Sequence, residues 1–313
     1  VAFGPSGESH LRINFGREMH DIDLAFERLD TYFRQQSATV PSPVASPVVP
    51  QATEGHAVTR RHPFRQLAVP YLRTLARHFL RRTKPQVIAI VGSRGKTVMK
   101  RVLGELLGTR YRVRTNPRSY NTDIGLPLAV LNVEISTQSL RSIVRTLLRA
   151  TWTALFSTEK PEILVLELGI RQPGDMRELL QTVRPNIAVL TNLTPSYSTD
   201  LEFLHTLQNE MRVMCQELGS QCQWLIDGDD ALLREIMPTL ATAPVLLHRH
   251  QWSPNEHGLL LQSNGHGYHV TRELVGESDR VSVQAAVMVA ERWTKLTGDA
   301  INRFLAGEEG VST

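Results

Sequence analysis

The sequence is poor in lysine, cysteine and aromatic residues. Of its 35 basic residues only five are lysines, and none lies between residues 161 and 294. Any chemistry that needs a lysine in that stretch is therefore excluded. The two cysteines, Cys215 and Cys222, form no CxxC pair and are too few for a disulfide framework. No apolar run reaches the roughly 18–20 residues of a membrane span. A formal charge of +4 on 313 residues is too small to argue for nucleic acid as a partner. The chain opens at Val1 without a charged segment followed by an apolar one, so no secretory leader is expected. A cytoplasmic, reducing location is expected instead. The missing initiator methionine points to a fragment or a processed chain. With 41% hydrophobic and 21% charged residues, the composition is that of a globular chain of one or two domains.

Residues 38–58 are rich in Pro, Ser, Ala and Val and carry almost no charge. That mixture favours extended polyproline conformations over a buried core, and it predicts a linker over 37–59. Upstream, residues 1–36 read as a strand, His10 to Phe15, and a helix from Asp21 whose Ile22, Ala25, Phe26, Leu29 and Phe33 share a face. About 36 residues cannot hold an independent core.

The body, 60–313, alternates strands with helices and carries no internal repeat. Apolar runs predict strands at 86–91, 162–168, 186–192, 223–227 and 243–248. Helices are expected from Lys96 to about Leu107, from Pro173 to about Thr182, over 201–218 and from about Asp229. A hairpin turning at Ser263-Asn264-Gly265 and two helices, about 279–295 and 299–306, follow. Repeated β-α units imply an α/β fold with a doubly wound, mainly parallel sheet.

The strongest motif is Gly92-Ser93-Arg94-Gly95-Lys96-Thr97, placed directly after a buried strand and opening a helix. Glycines let the backbone curl so that its N–H groups point inward, and the helix start adds partial positive charge. In such a phosphate loop Lys96 reaches the β- and γ-phosphates and Thr97 holds Mg²⁺. The longer P-loop form would place a glycine at position 90, where this chain has Ile90.

With these residues in view, the segment VIAIVGSRGKTVMK resembles the ATP-binding loop of the Mur ligases, which use the shorter form. Four further segments match in the family's order: RSYNTDIGLPLAVL (118–131), ILVLELGIRQPGDM (163–176), RPNIAVLTNL (184–193) and IDGDD (226–230). The match is most like the MurF type and covers about 85–306. The resemblance implies a P-loop fold like the family's central domain and an ATP-dependent amide ligase of cell-wall precursor synthesis, acting through an acyl phosphate. It implies ATP and Mg²⁺ as cofactors and a UDP-linked peptide as substrate. Lys96 and Glu167 become catalytic candidates. Gly92, Ser93, Arg94, Gly95, Lys96, Thr97 and Asn192 become nucleotide ligands, Thr97 and Glu167 metal ligands, and Asn121 and Asp123 substrate residues. Asp227 and Asp229 match a family motif and are also good helix caps.

The chain departs from the family in four places. No histidine stands shortly after the 186–192 strand, where the family has a metal ligand; Asp200, His205 and Glu210 are the substitutes to consider. Met211 falls near the family's carbamylated lysine. Asp279 and Val283 occupy the adenine-side His and Asn positions. The family's C-terminal domain, which brings the amine, is expected to be absent after Thr313, so that a partner or missing segment supplies it. These departures leave open a second reading, a degenerate nucleotide-binding scaffold without ligation.

Residues 1–36 resemble the last strand and helix of fold-type I PLP-dependent aminotransferases. The resemblance makes Arg12 a carboxylate-gripping substrate residue, although no PLP lysine accompanies it. Two other stretches carry arginine-flanked apolar faces. In 71–82, Tyr71, Leu72, Leu75, Phe79 and Leu80 share a face and Arg73, Arg77 and Arg81 line another; 139–156 is similar. Each either packs on its own domain or lies on an anionic membrane surface.

Overall fold

The chain divides into two units, Val1–Arg60 and Arg61–Thr313. The computed structural model describes residues 63–116, 120–134, 140–193, 201–255, 258–271 and 277–307, all within the second unit. The strand-helix piece 1–36 with Arg12, the 37–59 linker and Asp200 lie outside the described residues.

The first described element is α1, Pro63–Thr83, which begins eight residues before the expected 71–82 stretch. It leads into β1, Gln86–Val91, and α2, Lys96–Gly108. Then come β2, Val113–Thr115; α3, Gly125–Leu131; and α4, Leu140–Phe156. Next are β3, Ile163–Glu167; α5, Asp175–Leu180; β4, Ile187–Leu190; and α6, Leu201–Leu218. β5, Gln223–Asp227, precedes α7, Ala231–Arg234, and β6, Val245–Leu247. The last elements are β7, Trp252–Asn255; β8, Gly258–Ser263; β9, His266–Val270; α8, Glu277–Trp293; and α9, Gly298–Leu305.

β1 to β6 form one parallel sheet in the order β2-β3-β1-β4-β5-β6. The strand order reverses across β1, which has β3 on one side and β4 on the other. In open α/β sheets the crevice at such a switch point is where ligands bind. The period-2 alternation of β1 serves both faces: Val87, Ala89 and Val91 join the core shared with α1, α3, α5 and α6, while Ile88 and Ile90 join the core shared with α2, α8 and α9. Both cores are continuous because a parallel sheet buries each side of every central strand.

Several boundaries differ from expectation. The helix expected to open at Pro173 starts at Asp175, with Gly174 in the left-handed conformation just before it. The helix expected from Asp229 is one turn, capped by Asp230, whose side chain accepts from the N–H groups of Leu232 and Leu233. In the hairpin, Ser263 pairs with His266, so the turn is the two residues Asn264 and Gly265, both with positive φ, the arrangement of a type I′ turn.

Helix α1 buries Leu72, Leu75, Ala76 and Phe79 against α3 and α4. Its apolar face thus packs on its own domain. Tyr71, expected on that face, remains exposed.

Candidate functional site

The 92–97 loop leaves β1 between the ends of β3 and β4 and is held by both. Ser93 N–H donates to the Asn192 carbonyl at 2.9 Å. The Ser93 hydroxyl and the Arg94 N–H both donate to Asn192 Oδ1, at 2.6 and 3.1 Å. The Thr191 hydroxyl donates to the Arg94 carbonyl at 3.0 Å. Only glycine fits at position 92, since a Cβ there would collide with the Thr191 hydroxyl and come within 3.1 Å of the Asn192 carbonyl. Gly95 takes φ 78° at the start of α2, a turn that a side chain would strain. From there the first N–H groups of α2 lack carbonyl partners within the helix, which makes its start an anion site.

Lys96 folds over this loop. Its Nζ donates to the Gly92 carbonyl at 2.7 Å and the Ser93 carbonyl at 3.1 Å. Burial pushes its ammonium below the ordinary lysine value, with Glu167 pulling the other way. A half-buried cation curled against loop carbonyls can swing onto a phosphate with little desolvation left to complete.

Opposite it stands Glu167, the last residue of β3, which pairs in register with Ile90 and is buried to 4% exposure. The Thr97 hydroxyl donates to its Oε2 at 3.1 Å and the Asn121 amide to its Oε1 at 3.3 Å. Lys100 Nζ lies 3.6 Å from Oε2. Asn116 fixes the strand end: its Oδ1 accepts from Glu167 N–H at 3.0 Å, and its Nδ2 donates to the Glu167 carbonyl at 3.3 Å. Thr97, Glu167 and Asn121 offer hydroxyl, carboxylate and amide oxygens, which suits a hard cation such as Mg²⁺. Asn121 Oδ1 is buried and has no hydrogen-bond partner among the described residues. An acceptor orphaned in this way fits a cation or the water it holds.

The fold therefore brings Gly92 through Thr97, Glu167, Asn121 and Asn192 together. Asn192 acts by fastening the loop. Asp123 is further off: its carboxylate accepts from the Ile124 N–H at 3.0 Å, and it lines a cavity of about 160 Å³ with Arg171 and Asp175. Asp229 is engaged elsewhere, with His248 at 3.1 Å and the Arg249 N–H at 2.7 Å. That amide hydrogen bond is the main cause holding its carboxyl below the ordinary value. Burial pushes Asp227 the other way.

Of the substitutes for the family's metal-ligand histidine, His205 is exposed on α6, and Glu210 is committed to α5, accepting from the N–H groups of Gly174 and Met176 at 2.8 Å each. Met211 is wholly buried in the core.

Three site residues escape a reading of motifs. Lys100 lies one helical turn beyond Lys96 and Thr97, a spacing that signals a shared face. Asn116 sits just after β2, a strand too short for an apolar pattern. Ser282 on α8 donates to the Gly95 carbonyl at 3.4 Å, a contact between residues 187 positions apart that no local pattern reveals. An open cleft of about 910 Å³ runs from Thr97, Lys100 and Asn116 along α2 to Tyr111.

Residues 90–245 match the family model of the Mur ligase middle domain. The UDP-N-acetylmuramoyl-tripeptide–D-alanyl-D-alanine ligase of Bacillus subtilis is 32% identical over 216 residues, covering 68% of this chain and 41% of that protein. The ligase of the same name from Treponema pallidum is 33% identical over 106 residues, 34% of this chain and 18% of that protein. Among solved structures, MurF from Acinetobacter baumannii shares the fold with a TM-score of 0.59 at 18% identity, over 77% of this chain and 50% of that one. MurF from Thermotoga maritima, solved in complex with ADP, gives 0.54 at 20% identity, over 75% and 52%. The chain spans about half the length of these relatives or less.

Proposed function

We propose that this chain, whose residues 90–245 match the model of the Mur ligase middle domain, binds Mg–ATP at the 92–97 loop. In this reading it serves an ATP-dependent, amide-forming ligase of peptidoglycan precursor synthesis in the cytoplasm. The substrates are a UDP-linked muramoyl peptide, whose carboxylate is phosphorylated, and D-Ala-D-Ala, whose amine then displaces phosphate. The observation that carries the proposal is the convergence of Lys96, Thr97 and Glu167 at the switch point of the sheet.

The roles follow from position. The backbone of 92–95 and the start of α2 cradle the phosphates, with Asn192 and Thr191 keeping the loop in shape. Lys96 moves from its loop carbonyls to the β- and γ-phosphates and neutralises charge there. Thr97, Glu167 and Asn121 would hold Mg²⁺, which would offset the charge on the transferring phosphoryl group. Lys100 and Asn116 keep the Glu167 carboxylate in place. The cleft beyond Thr97 and Asn116 admits the peptide carboxylate. Positioning of the amine is assigned to residues outside those described or to a partner.

A second reading, a nucleotide-binding scaffold without ligation, is favoured by one observation: Met211, near the family's lysine position, is sealed in the core.

Hydroxylamine separates the two readings, since it takes the place of a positioned amine. The full chain with Mg–ATP and UDP-MurNAc-tripeptide should release phosphate and yield a tripeptide hydroxamate, detected by mass spectrometry. ATP binding without hydroxamate would favour the scaffold. No ATP binding would end both readings.

A further inference from the structure

Helix α4 turns most of its large apolar side chains away from the core. A helix that packs on its own domain buries its large apolar side chains. The buried residues of α4 are Thr146, Ala150 and Ala154, all small. Five of its large ones point outward, Val144, Leu148, Trp152, Leu155 and Phe156, with Leu148 and Trp152 each 66% exposed, while Ile143 and Leu147 are half-buried, Leu147 against the core. The Trp152 and Phe156 rings lie 4.8 Å apart.

Helix α1 extends this patch. The Tyr71 hydroxyl hydrogen-bonds the Thr151 hydroxyl at 2.6 Å, which sets Tyr71 beside α4, and Leu67, one turn away on α1, is 78% exposed. These seven are all of the exposed large apolar residues among the described ones. A surface that gathers every such residue onto two adjacent helices is an interaction site.

Charge selects the occupant. Arg141, Arg145 and Arg149, all exposed, repeat every four residues, with Arg145 and Arg149 each one position after Val144 and Leu148 of the apolar row, so the two rows run side by side. Helix α1 adds the exposed Arg77 and Arg81, while its Arg82 donates to the carbonyls of Thr153, Leu155 and Ser157 at the end of α4. Neither helix contains an Asp or Glu. A second copy would set arginine row against arginine row with no acidic residue on either helix to pair with them. A bilayer with anionic headgroups complements both rows at once, with Trp and Phe entering the interface and arginines meeting phosphates. Among the described residues no helix is long and apolar enough to cross a membrane, so contact is with the surface.

We propose that the α1–α4 face docks this chain on an anionic membrane surface. The test is co-sedimentation of the full chain with phosphatidylcholine vesicles, with and without phosphatidylglycerol. Binding should need the anionic lipid, weaken with added salt, and fall about fivefold for each of Arg145→Ala and Arg149→Ala. Trp152→Glu with Phe156→Glu should abolish it, with an unchanged circular-dichroism melt showing that these exposed positions leave the fold intact. Failure to sediment with anionic vesicles would overturn the proposal. So would equal binding to neutral vesicles, or binding that survives Trp152→Glu with Phe156→Glu. A dimer in analytical ultracentrifugation that Trp152→Glu dissociates, in a chain that ignores vesicles, would assign the face to self-association and equally overturn it.

Discussion

The hydroxyl of Thr97 donates to Glu167 Oε2 at 3.1 Å. This contact joins the loop after one strand to the end of its neighbour, across 70 residues of sequence. It places a neutral oxygen from the helix start beside a buried carboxylate, with the Lys100 ammonium 3.6 Å from the same oxygen. Glu167 is therefore held from three sides before any ligand arrives, and a held carboxylate loses little freedom when a cation binds.

Glu167→Gln keeps the shape and the Asn121 contact but removes the charge. The gain in ATP affinity that Mg²⁺ confers should fall tenfold or more, while affinity without Mg²⁺ changes little. Parallel ATP titrations with and without Mg²⁺ check this. An undiminished Mg²⁺ effect in the variant would remove Glu167 from the metal site.

Lys96 gives a pH signature. Burial lowers its pKa below 10.5, so in the alkaline window between its folded and unfolded values the unfolded chain holds more protons. Stability of the ligand-free protein should rise with pH across that window. ATP affinity should fall across it, because the neutral amine no longer faces the phosphates. Lys96→Met should abolish both slopes. Thermal melts and ATP titrations from neutral to alkaline pH check the pair.

Asp230 ties two elements together. Its carboxylate accepts from Leu232 and Leu233 N–H, starting α7, and from Leu193 N–H at 2.7 Å, just past β4. Asp230→Ala should cost about 1–2 kcal/mol of stability, the range for losing a helix N-cap, read from urea unfolding. Asp230→Asn should recover part of that loss.

Much of the sheet was legible because its central strands are buried on both faces and so read as unbroken apolar runs. β1, β5 and α6 match their expected limits. β2 and α3 were missed: β2 has three half-buried residues, and α3 carries Gly125 and Pro127, which read as turn residues. The phosphate loop was legible because its chemistry is local. The support around Glu167 was not, since Asn116, Lys100 and Ser282 act through pairings across distant segments. The outward face of α4 stayed open between two alternatives, because periodicity marks an apolar side without saying whether it meets protein or solvent.

Supplied with UDP-MurNAc-tripeptide, D-Ala-D-Ala and Mg–ATP, residues 1–313 alone should form little or no amide. An amine held near the activated carbonyl lowers the barrier by several kcal/mol, and no such holder is assigned among the described residues. Steady amide formation, followed by mass spectrometry, would show that this chain orients the amine itself.

Calorimetric titration of Mg–ATP into the wild-type chain and Lys96→Ala decides whether the 92–97 loop binds the nucleotide. Loss of the charge facing the β- and γ-phosphates should weaken binding by roughly 1.5–3 kcal/mol, the range for hydrogen bonds to charged groups. Equal affinity in the two proteins would contradict the account.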